Sequence, residues 1–331
     1  MITAVVLLGM AIILGTYGGR TLSAASWAPH APWLALLMWQ SLSVTIVASI
    51  ALAGSAIVLP ALPAFFSGLA DWIGACLGIL EEHYSSPLGK DGAVLILVLL
   101  LAALAWIVVC AGGEVWAARR ARTATRRALG LVPSWNLPGE AVVIDDARLA
   151  AYCVPGRRPT IVMTSGALDT LNEVERQAVV AHERAHLRCR HHWALTWAVG
   201  LNKAFPFVPA FRGAAEHVPL LIEMHADDAA ARVSGRRALA SALVNMAESR
   251  APASTMAISG AGVLARVQRL GSARRKIGPA GIASLLGLAV VMSAAPVLSL
   301  MAPAAESALR DHCTSYAHTC DLRSRSQFSP G

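Results

Sequence analysis

Two histidines and a glutamate stand at a spacing that can hold and use a metal ion. His182 and His186 are four residues apart in AHERAH, so on a helix both imidazoles lie on one face, one turn apart. Glu183 lies about 100° round the helix axis from His182, where its carboxylate can reach a water on the ion. The pattern H-E-x-x-H predicts a metal-dependent hydrolase; a solvated helix face of mixed charge is the plain alternative.

A catalytic zinc ion takes three protein ligands and keeps one position for water, so the pattern needs a third ligand. Glu223 in PLLIEMHADD is one candidate. Asp227 follows one turn later on the same face and can accept a hydrogen bond from a ligand imidazole, which would fix the orientation of that ring. These two residues form the favoured arrangement.

Other residues compete for a ligand position. His192 stands where a related zinc pattern has its third histidine, but Cys189 replaces the glycine that breaks the helix there, so on an unbroken helix His192 points away from His186. Glu216 and His217 are weaker candidates for the third ligand. Cys189 itself is a weak candidate for a fourth ligand, which would close the site to water.

The remaining polar residues near Glu223 receive plain interpretations. His225 lies nearly opposite Glu223 on a helix and is predicted to be a surface or packing residue, and Asp228 a solvated charge. Arg232 and Arg236 are candidate second donors to the reaction oxyanion, although solvated surface charge is the favoured interpretation of both.

The elements that position these residues can be predicted in outline. GEAVVIDD and RPTIVMTSG are β-branched runs bounded by turn residues, and LAAYCVP is a weaker candidate strand. Thr170 and Glu173 form a capping-box pattern, so a helix should begin there and continue without Gly or Pro to Gly200. The apolar stretch 193–211 contains two prolines, and a membrane crossing there would separate Glu223 from His182. We interpret it as the end of that helix and a membrane-hugging hairpin.

The composition places the chain in a membrane. It has 331 residues, of which 56% are hydrophobic and only 15% charged, with a mean hydropathy of +0.55, and a helix needs roughly 20 apolar residues to cross a bilayer. The predicted membrane helices are 2–17, 33–58, 93–111 and 277–301. The net charge of +8 largely flanks these segments, so no nucleic-acid partner is expected.

The arginines set the predicted orientation, because cytoplasmic flanks of membrane helices collect Lys and Arg. Arginines crowd the sequence just after 93–111. We therefore predict three membrane helices in 1–113, a cytoplasmic zinc-peptidase domain in 114–276, a fourth membrane helix in 277–302 and a short extracytoplasmic tail in 303–331. That tail is expected to be largely unstructured near its end, and a Cys313–Cys320 disulfide in it is left open.

HERAH followed by EMHADD, set between a third and a fourth membrane helix, resembles the BlaR/MecR-type membrane zinc peptidases. These are gluzincins, similar at the site to HtpX-like and CAAX prenyl-protein peptidases. AYCVPGRRPTIVMTSGAL resembles the strand region of that family. The resemblance implies an α+β zincin-like (gluzincin) peptidase domain inserted in a four-helix transmembrane protein. It also implies Zn²⁺ held by His182, His186 and Glu223, with Glu183 as catalytic base and Asp227 behind the ligands.

The predicted function is hydrolysis of peptide bonds in a protein substrate at the cytoplasmic membrane face. The β-lactam sensors of the family carry a Ser-x-x-Lys nucleophile in an outer domain, and the tail 303–331 has no such motif, so sensing by acylation is not implied. A transcriptional repressor is one candidate substrate, an extended substrate could pair with a sheet edge near 160–164, and a homodimer is compatible. The alternative is a membrane signalling or scaffold protein with a structural or vestigial zinc site.

Overall fold

A computed structural model of the chain describes residues 2–58, 89–130, 134–137, 141–156, 159–248, 256–272 and 277–326. Over this part of the chain, helices dominate and four strands form one small sheet. The helices are α1 (Ile2–Ile13), α2 (Gly19–Ser23), α3 (Pro32–Val58), α4 (Gly89–Leu129), α5 (Ser165–Thr170), α6 (Glu173–Arg188), α7 (His191–Ala204), α8 (Pro209–Ser234), α9 (Arg236–Glu248), α10 (Met256–Gly271) and α11 (Pro279–Ser326). A π-helical stretch, Leu14–Gly18, joins α1 to α2.

Within the described residues, four stretches of helix are long and apolar enough to cross a membrane. They are Ile2–Ser23, Pro32–Val58, Asp91–Leu129 and Pro279–Ala302. Helix α4 continues well past the predicted end of its apolar part at residue 111. Alanine and arginine both favour helix, so the basic segment after the apolar run has no reason to end it.

The last helix extends into the part of the tail that was predicted to be unstructured. Helix α11 continues from its apolar part to Ser326, and residues 327–331 lie outside the described chain. Cys313 and Cys320 fall within this helix. A helix rises about 1.5 Å per residue, so their Cα atoms are roughly 10 Å apart, beyond the roughly 7 Å that a disulfide can bridge. The helical backbone is therefore incompatible with a disulfide between them.

The sheet contains the three predicted strands and one that the sequence analysis missed. Its strands are β1 (Ser134–Leu137), β2 (Ala141–Ile144), β3 (Ala151–Val154) and β4 (Thr160–Thr164). The order is β1-β2-β4-β3, with β2 and β4 parallel and both outer pairs antiparallel. The expectation of a free edge near 160–164 was wrong, because β4 lies between β2 and β3. Among the described strands, β3 is the edge nearest to helix α6.

The predicted long helix is divided in the structure, and it begins later than expected. Its N-terminal cap is Asn172, whose side chain accepts from the Glu175 amide while the Glu175 carboxylate accepts from the Asn172 amide, both at 3.0 Å. Thr170 instead ends α5 and donates to a backbone carbonyl. The helix also stops at Arg188 rather than continuing to Gly200, because Arg190 adopts a left-handed conformation (φ 50°, ψ 40°).

Small residues bring the site helices close together. Ala178 and Ala181 of α6 pack against Ala230 of α8, with Leu239 and Leu270 completing the same buried cluster. On its other side α6 packs on the sheet through Val179 and its neighbours. Alanine side chains let the helix backbones approach closely, so His182 of α6 can meet Asp227 of α8.

Helix α7 packs against residues 106–114 of α4. A Cβ atom added at Gly200 would lie only 3.1 Å from the Cα atom of Ala111, so the two backbones are in close approach. The Trp106 indole N–H donates to the Ala204 carbonyl at 3.1 Å, and Lys203 pairs with Glu114. A short turn after Ala204 leads into α8, so residues 191–234 form a helical hairpin.

The chain divides into two compact units. One comprises Met1–Leu14, Val44–Ala105 and Val290–Gly331, and the other Gly15–Ser43 and Trp106–Ala289. In the first unit, the Thr45 hydroxyl donates to the Met292 carbonyl at 3.0 Å. The second unit contains the sheet and all the residues that the sequence pattern singles out for chemistry.

Candidate metal centre

Helix α6 carries the two histidines of the motif on one face. The Nε2 atoms of His182 and His186 are 3.1 Å apart, as the four-residue spacing predicts. His182 is buried and His186 partly buried. Both rings therefore point toward one position at the end of α6 rather than into open solvent.

Glu223 reaches the same position from helix α8. Its Oε2 atom lies 3.4 Å from Nε2 of His182, and its Oε1 atom lies 3.5 Å from Nε2 of His186. One ligand-type atom from each of the three residues falls within 4.8 Å of the other two. The structure thus brings together the three residues that the sequence analysis favoured as ligands.

Asp227 lies beside His182, and it has a partner that the sequence did not reveal. Oδ1 of Asp227 is 3.1 Å from Nδ1 of His182, at hydrogen-bonding distance although away from the ideal angle. The Arg266 guanidinium donates to both oxygens of Asp227, at 2.8 and 2.6 Å. A third nitrogen of Arg266 lies 2.9 Å from Oε2 of Glu223. Arg266 therefore joins the two carboxylates in one buried network.

The donor set fits a zinc ion. Two imidazole nitrogens and one carboxylate oxygen are the three-ligand set of many catalytic zinc sites, which leave one position for water. Asp227 faces the ring nitrogen of His182 that does not point at Glu223, so it would hold that ring in the tautomer needed for binding. Because Arg266 holds Oε2 of Glu223, Oε1 is the oxygen available to an ion.

The carboxylates around His182 favour a proton on this ring, at the position that a metal ion would occupy. Burial disfavours the charged form of His182, but Asp227 and Glu223 outweigh this effect and raise the pKa of His182 to about 9. Burial and the neighbouring His182 lower the pKa of His186 to about 4. Burial opposes ionisation of Glu223, yet His182 and Arg266 lower its pKa to about 2. A divalent cation would replace the proton on His182 between two ready ligands.

The Glu183 carboxyl is near both the ligand group and the edge strand β3. Burial raises the pKa of the Glu183 carboxyl, and its neighbours are His182, Glu223 and the Cys153 thiol of β3. Burial and the Glu183 carboxylate raise the pKa of Cys153 to about 12. A carboxylate with a raised pKa beside the cation position is suited to accept and return a proton.

The weaker candidate ligands lie elsewhere. The ring of His192 packs beside Trp193, and the ring of His217 stacks on Trp39 with their centroids 5.7 Å apart. Glu216 is exposed. Cys189 groups with other histidines and not with His182.

Four plain interpretations near Glu223 have mixed outcomes. Arg232 is exposed as favoured, while the Arg236 guanidinium donates to the Arg269 carbonyl. Asp228 was wrongly predicted to be solvated, because it pairs with Arg269 at 2.7 Å. His225, predicted to be a surface or packing residue, is partly buried and packs against the ring of His191, with its Nδ1 atom 3.0 Å from Nε2 of that ring.

Three residues of the site were missed by the sequence analysis: Arg266, His191 and Cys153. Arg266 carried a usable signal, since it lies on the same helical stripe as Val263 and Leu270, and an arginine on an apolar stripe requires a buried partner. His191 and Cys153 carried none, because their positions depend on the helix break and on the strand order.

An arginine-lined cavity adjoins the motif helix. Its volume is about 1330 Å³, and its lining includes Pro155, Gly156 and Pro159, which lie between β3 and β4 in the sequence. The guanidinium group of Arg126 lies so close to Gly156 that a Cβ atom on this glycine would meet it at 2.9 Å. Among the residues that the structure describes, six arginines line the cavity: Arg119, Arg122, Arg126, Arg184, Arg188 and Arg190.

Comparison with known proteins finds a metallopeptidase similarity over part of the chain. Residues 118–218 match the sequence model of Peptidase family M48. The M48 region contains the H-E-x-x-H motif and ends before Glu223, so the geometry alone connects that carboxylate to the motif. A relative from Arabidopsis thaliana, plastoglobule-localized metallopeptidase 48, chloroplastic, is 41% identical over 58 residues. That alignment covers 18% of this chain and 17% of the relative. No solved structure matches.

These matches support the metallopeptidase part of the resemblance found in the sequence. An M48 peptidase domain is present over residues 118–218, and M48 is a family of metal-dependent peptidases. The closer assignment to the BlaR/MecR-type group stays a prediction.

Proposed function

We propose that this chain is a membrane-embedded, zinc-dependent endopeptidase that hydrolyses a peptide bond of a protein substrate at the cytoplasmic membrane face. The observation that carries this proposal is the meeting of two imidazole nitrogens and one carboxylate oxygen, from two helices, beside a second carboxylate. Three ligands and a neighbouring base suit catalysis, whereas a closed structural zinc site uses four ligands, usually with cysteine.

The residues of the site have different roles in the proposed hydrolysis. Zinc, when bound by His182, His186 and Glu223, supplies a water of lowered pKa and a positive charge for the developing oxyanion. Glu183 takes a proton from the attacking water and passes it to the leaving amine. Asp227 keeps the ring of His182 in its binding tautomer, and the charge of Arg266 keeps the carboxylates of Asp227 and Glu223 ionised.

Substrate would lie along β3. This strand is an edge among the described strands, and its Cys153 touches the proposed base Glu183. An extended peptide paired with β3 would therefore carry its backbone past the metal position. The arginine-lined cavity begins at the end of β3, at Pro155 and Gly156, so acidic residues in the substrate would be favoured there.

The membrane assignment rests on the four apolar helices and on the basic end of α4. The connection between the first two of these helices lies beside the peptidase residues, because Arg269 donates to the Pro29 carbonyl at 2.5 Å. This contact agrees with a cytoplasmic connection. A transcriptional repressor, a membrane protein and the chain itself are the candidate substrates.

The test compares Glu183→Gln with Glu216→Gln, an exposed glutamate of α8, in the full chain purified in detergent. We expect Glu183→Gln to keep its zinc, measured by elemental analysis, and to lose cleavage of casein by about 10²-fold to 10⁴-fold. Glu216→Gln should match the unaltered protein in both measurements.

Two outcomes would contradict the proposal. Full cleavage by Glu183→Gln would exclude this residue as the base. Tight zinc binding without cleavage of casein, or of any protein captured by Glu183→Gln from membranes, would favour the signalling or scaffold alternative.

A further inference from the structure

The break after α6 creates a second group of metal-binding side chains. Cys189 caps α6, Arg190 turns the chain through its left-handed conformation, and His191 begins α7. The left-handed conformation costs a non-glycine residue about 1 kcal/mol. Strained residues of this kind cluster at functional sites. The turn brings His191 back beside α8, where His225 is its neighbour.

The ligand atoms of the group are close enough to share an ion. One such atom each from Cys189, His191 and His225 lies within 4.8 Å of the other two. Nε2 of His191 is 3.0 Å from Nδ1 of His225. Cys189 is exposed, while His191 is buried and His225 partly buried, so an ion could enter from the cysteine side.

We propose that Cys189, His191 and His225 form a second site for a thiophilic divalent cation of the zinc type. One thiolate and two imidazoles favour Zn²⁺ or Co²⁺ over Mg²⁺ and Ca²⁺, which prefer oxygen ligands. Three ligands with one exposed side leave the ion exchangeable, unlike a closed structural site with four ligands. Neither the family match nor the motif includes this trio, since His225 lies beyond residue 218.

This second site is coupled to the first by one imidazole contact. Nδ1 of His191 lies 3.1 Å from Nδ1 of His186. If Nε2 of His186 holds the first ion, the proton of that ring is on Nδ1 and is donated to His191. His191 then carries its own proton on Nε2, the atom that faces His225.

An ion on Nε2 of His191 requires the opposite arrangement. The proton of His191 would move to Nδ1, and the facing Nδ1 of His186 would have to accept it. His186 would then carry its proton on Nε2, which could no longer bind the first ion. The second site, when filled, therefore opposes loading of the first and makes the proposed peptidase sensitive to excess zinc.

Cobalt binding tests the second site without any assay of activity. Co²⁺ is titrated into the metal-free full chain in detergent, and the absorption of a thiolate–cobalt bond is followed in the near ultraviolet. We expect this absorption in the unaltered protein and in Cys110→Ser, and its loss in Cys189→Ser. His225→Gln should weaken binding of the ion that causes it by at least about 10-fold, because replacing even an outer partner of a metal ligand costs about 10-fold to 100-fold in affinity.

Persistence of the absorption in Cys189→Ser, or its absence from the unaltered protein, would overturn the second site. Glu223→Gln separates the two sites, because it should lose the first ion and retain the thiolate absorption. If Glu223→Gln abolishes that absorption while remaining folded by circular dichroism, both ions share one site and the inference is wrong.

The coupling rests on the proposed function and has its own test. Casein cleavage is measured at rising zinc concentration in the unaltered protein, Cys189→Ser and Cys110→Ser. We expect excess zinc to inhibit the unaltered protein and Cys110→Ser, and Cys189→Ser to need about 10-fold more zinc for the same inhibition. Equal inhibition of all three would overturn the coupling. Failure of every protein to cleave would count against the proposed function, and the cobalt absorption would still decide the second site.

Discussion

Arg266 is the residue on which the charge balance of the site depends. Asp227 is fully buried and Glu223 partly buried, and their carboxylates share the guanidinium of Arg266. Two carboxylates this close would otherwise raise each other's pKa and bind protons. Arg266 therefore keeps Glu223 in the ionised form that a metal ligand needs, while its paired contact fixes the position of Asp227 behind His182.

Replacement of Arg266 by Met should destabilise the fold. Removal of one partner from a buried ion pair leaves an uncompensated charge, which costs about 3–5 kcal/mol. Lys keeps the charge but not the paired geometry, so Arg266→Lys should be intermediate. Urea unfolding in detergent, followed by near-ultraviolet circular dichroism, measures the free energy of unfolding. Arg237→Met, at an exposed position of α9, is the control, and equal stability of the two Met variants would refute the role of Arg266.

The thiol of Cys153 should be unreactive while Glu183 is charged. Its pKa is raised to about 12 by burial and by Glu183, and alkylation requires the thiolate. We expect iodoacetamide at about pH 8 to modify the exposed Cys189 and to spare Cys153, as measured by mass spectrometry of peptides. Glu183→Gln removes the negative charge, which lowers the pKa of Cys153 and should speed its alkylation. Glu216→Gln should leave the rate unchanged; an unchanged rate in Glu183→Gln would show that the two groups do not interact.

At the scale of the elements, the start of α6 decides where the motif faces. Asn172 and Glu175 satisfy each other's backbone amides at this end, and the remaining turns then set the direction of His182 and His186. Thr170 showed the same spacing to Glu173 in the sequence, but its hydroxyl donates to the Gly166 carbonyl at 2.8 Å in the preceding helix.

The two candidate caps can be distinguished by stability. Asn172→Ala should lower the free energy of unfolding by about 1 kcal/mol, because an amide at the helix start loses its partner. Thr170→Ala should change it by less than about half of that amount, since it removes only an exposed bond within α5. Urea unfolding of both variants gives the comparison. A larger loss in Thr170→Ala would restore the capping box that the sequence first suggested.

The sequence predicts what is local and misses what depends on distant contacts. The faces of His182, His186, Glu223 and Asp227 follow from helical periodicity, so their meeting needed only that α6 and α8 pack together. The division after Arg188 could not be predicted, because no Gly or Pro marks it and the left-handed residue is Arg190.

The order of the strands could not be predicted from the sequence either. The runs at β2 and β4 are visible as β-branched segments and the run at β3 is a weaker candidate, but hydrogen-bond partners depend on how the connections cross. The assignment of the edge to 160–164 failed for this reason. Arg266 was missed because 39 residues separate it from Asp227, and only its place on an apolar stripe indicated a buried partner.

At the scale of the whole molecule, the proposed function requires the peptidase residues to lie on the cytoplasmic side of a membrane. Arginines at the end of α4 line the cavity beside α6, so the basic flank and the site share one side. Lys and Arg collect on the cytoplasmic side of membrane helices, and their translocation is costly. The exposed thiol of Cys189 lies at the end of α6 and reports the side on which the site is found.

Labelling of Cys189 tests this orientation. In a variant that retains Cys189 as its single cysteine, we expect a membrane-impermeant maleimide to leave intact cells unlabelled and to label inverted membrane vesicles. A matched variant with Ser85→Cys as its single cysteine should give the opposite result, because the connection 63–92 carries Lys90 as its single basic residue and is predicted to be outside. Both proteins should resist extraction by alkaline carbonate. Labelling of Cys189 in intact cells would reverse the orientation and place any substrate outside the cytoplasm.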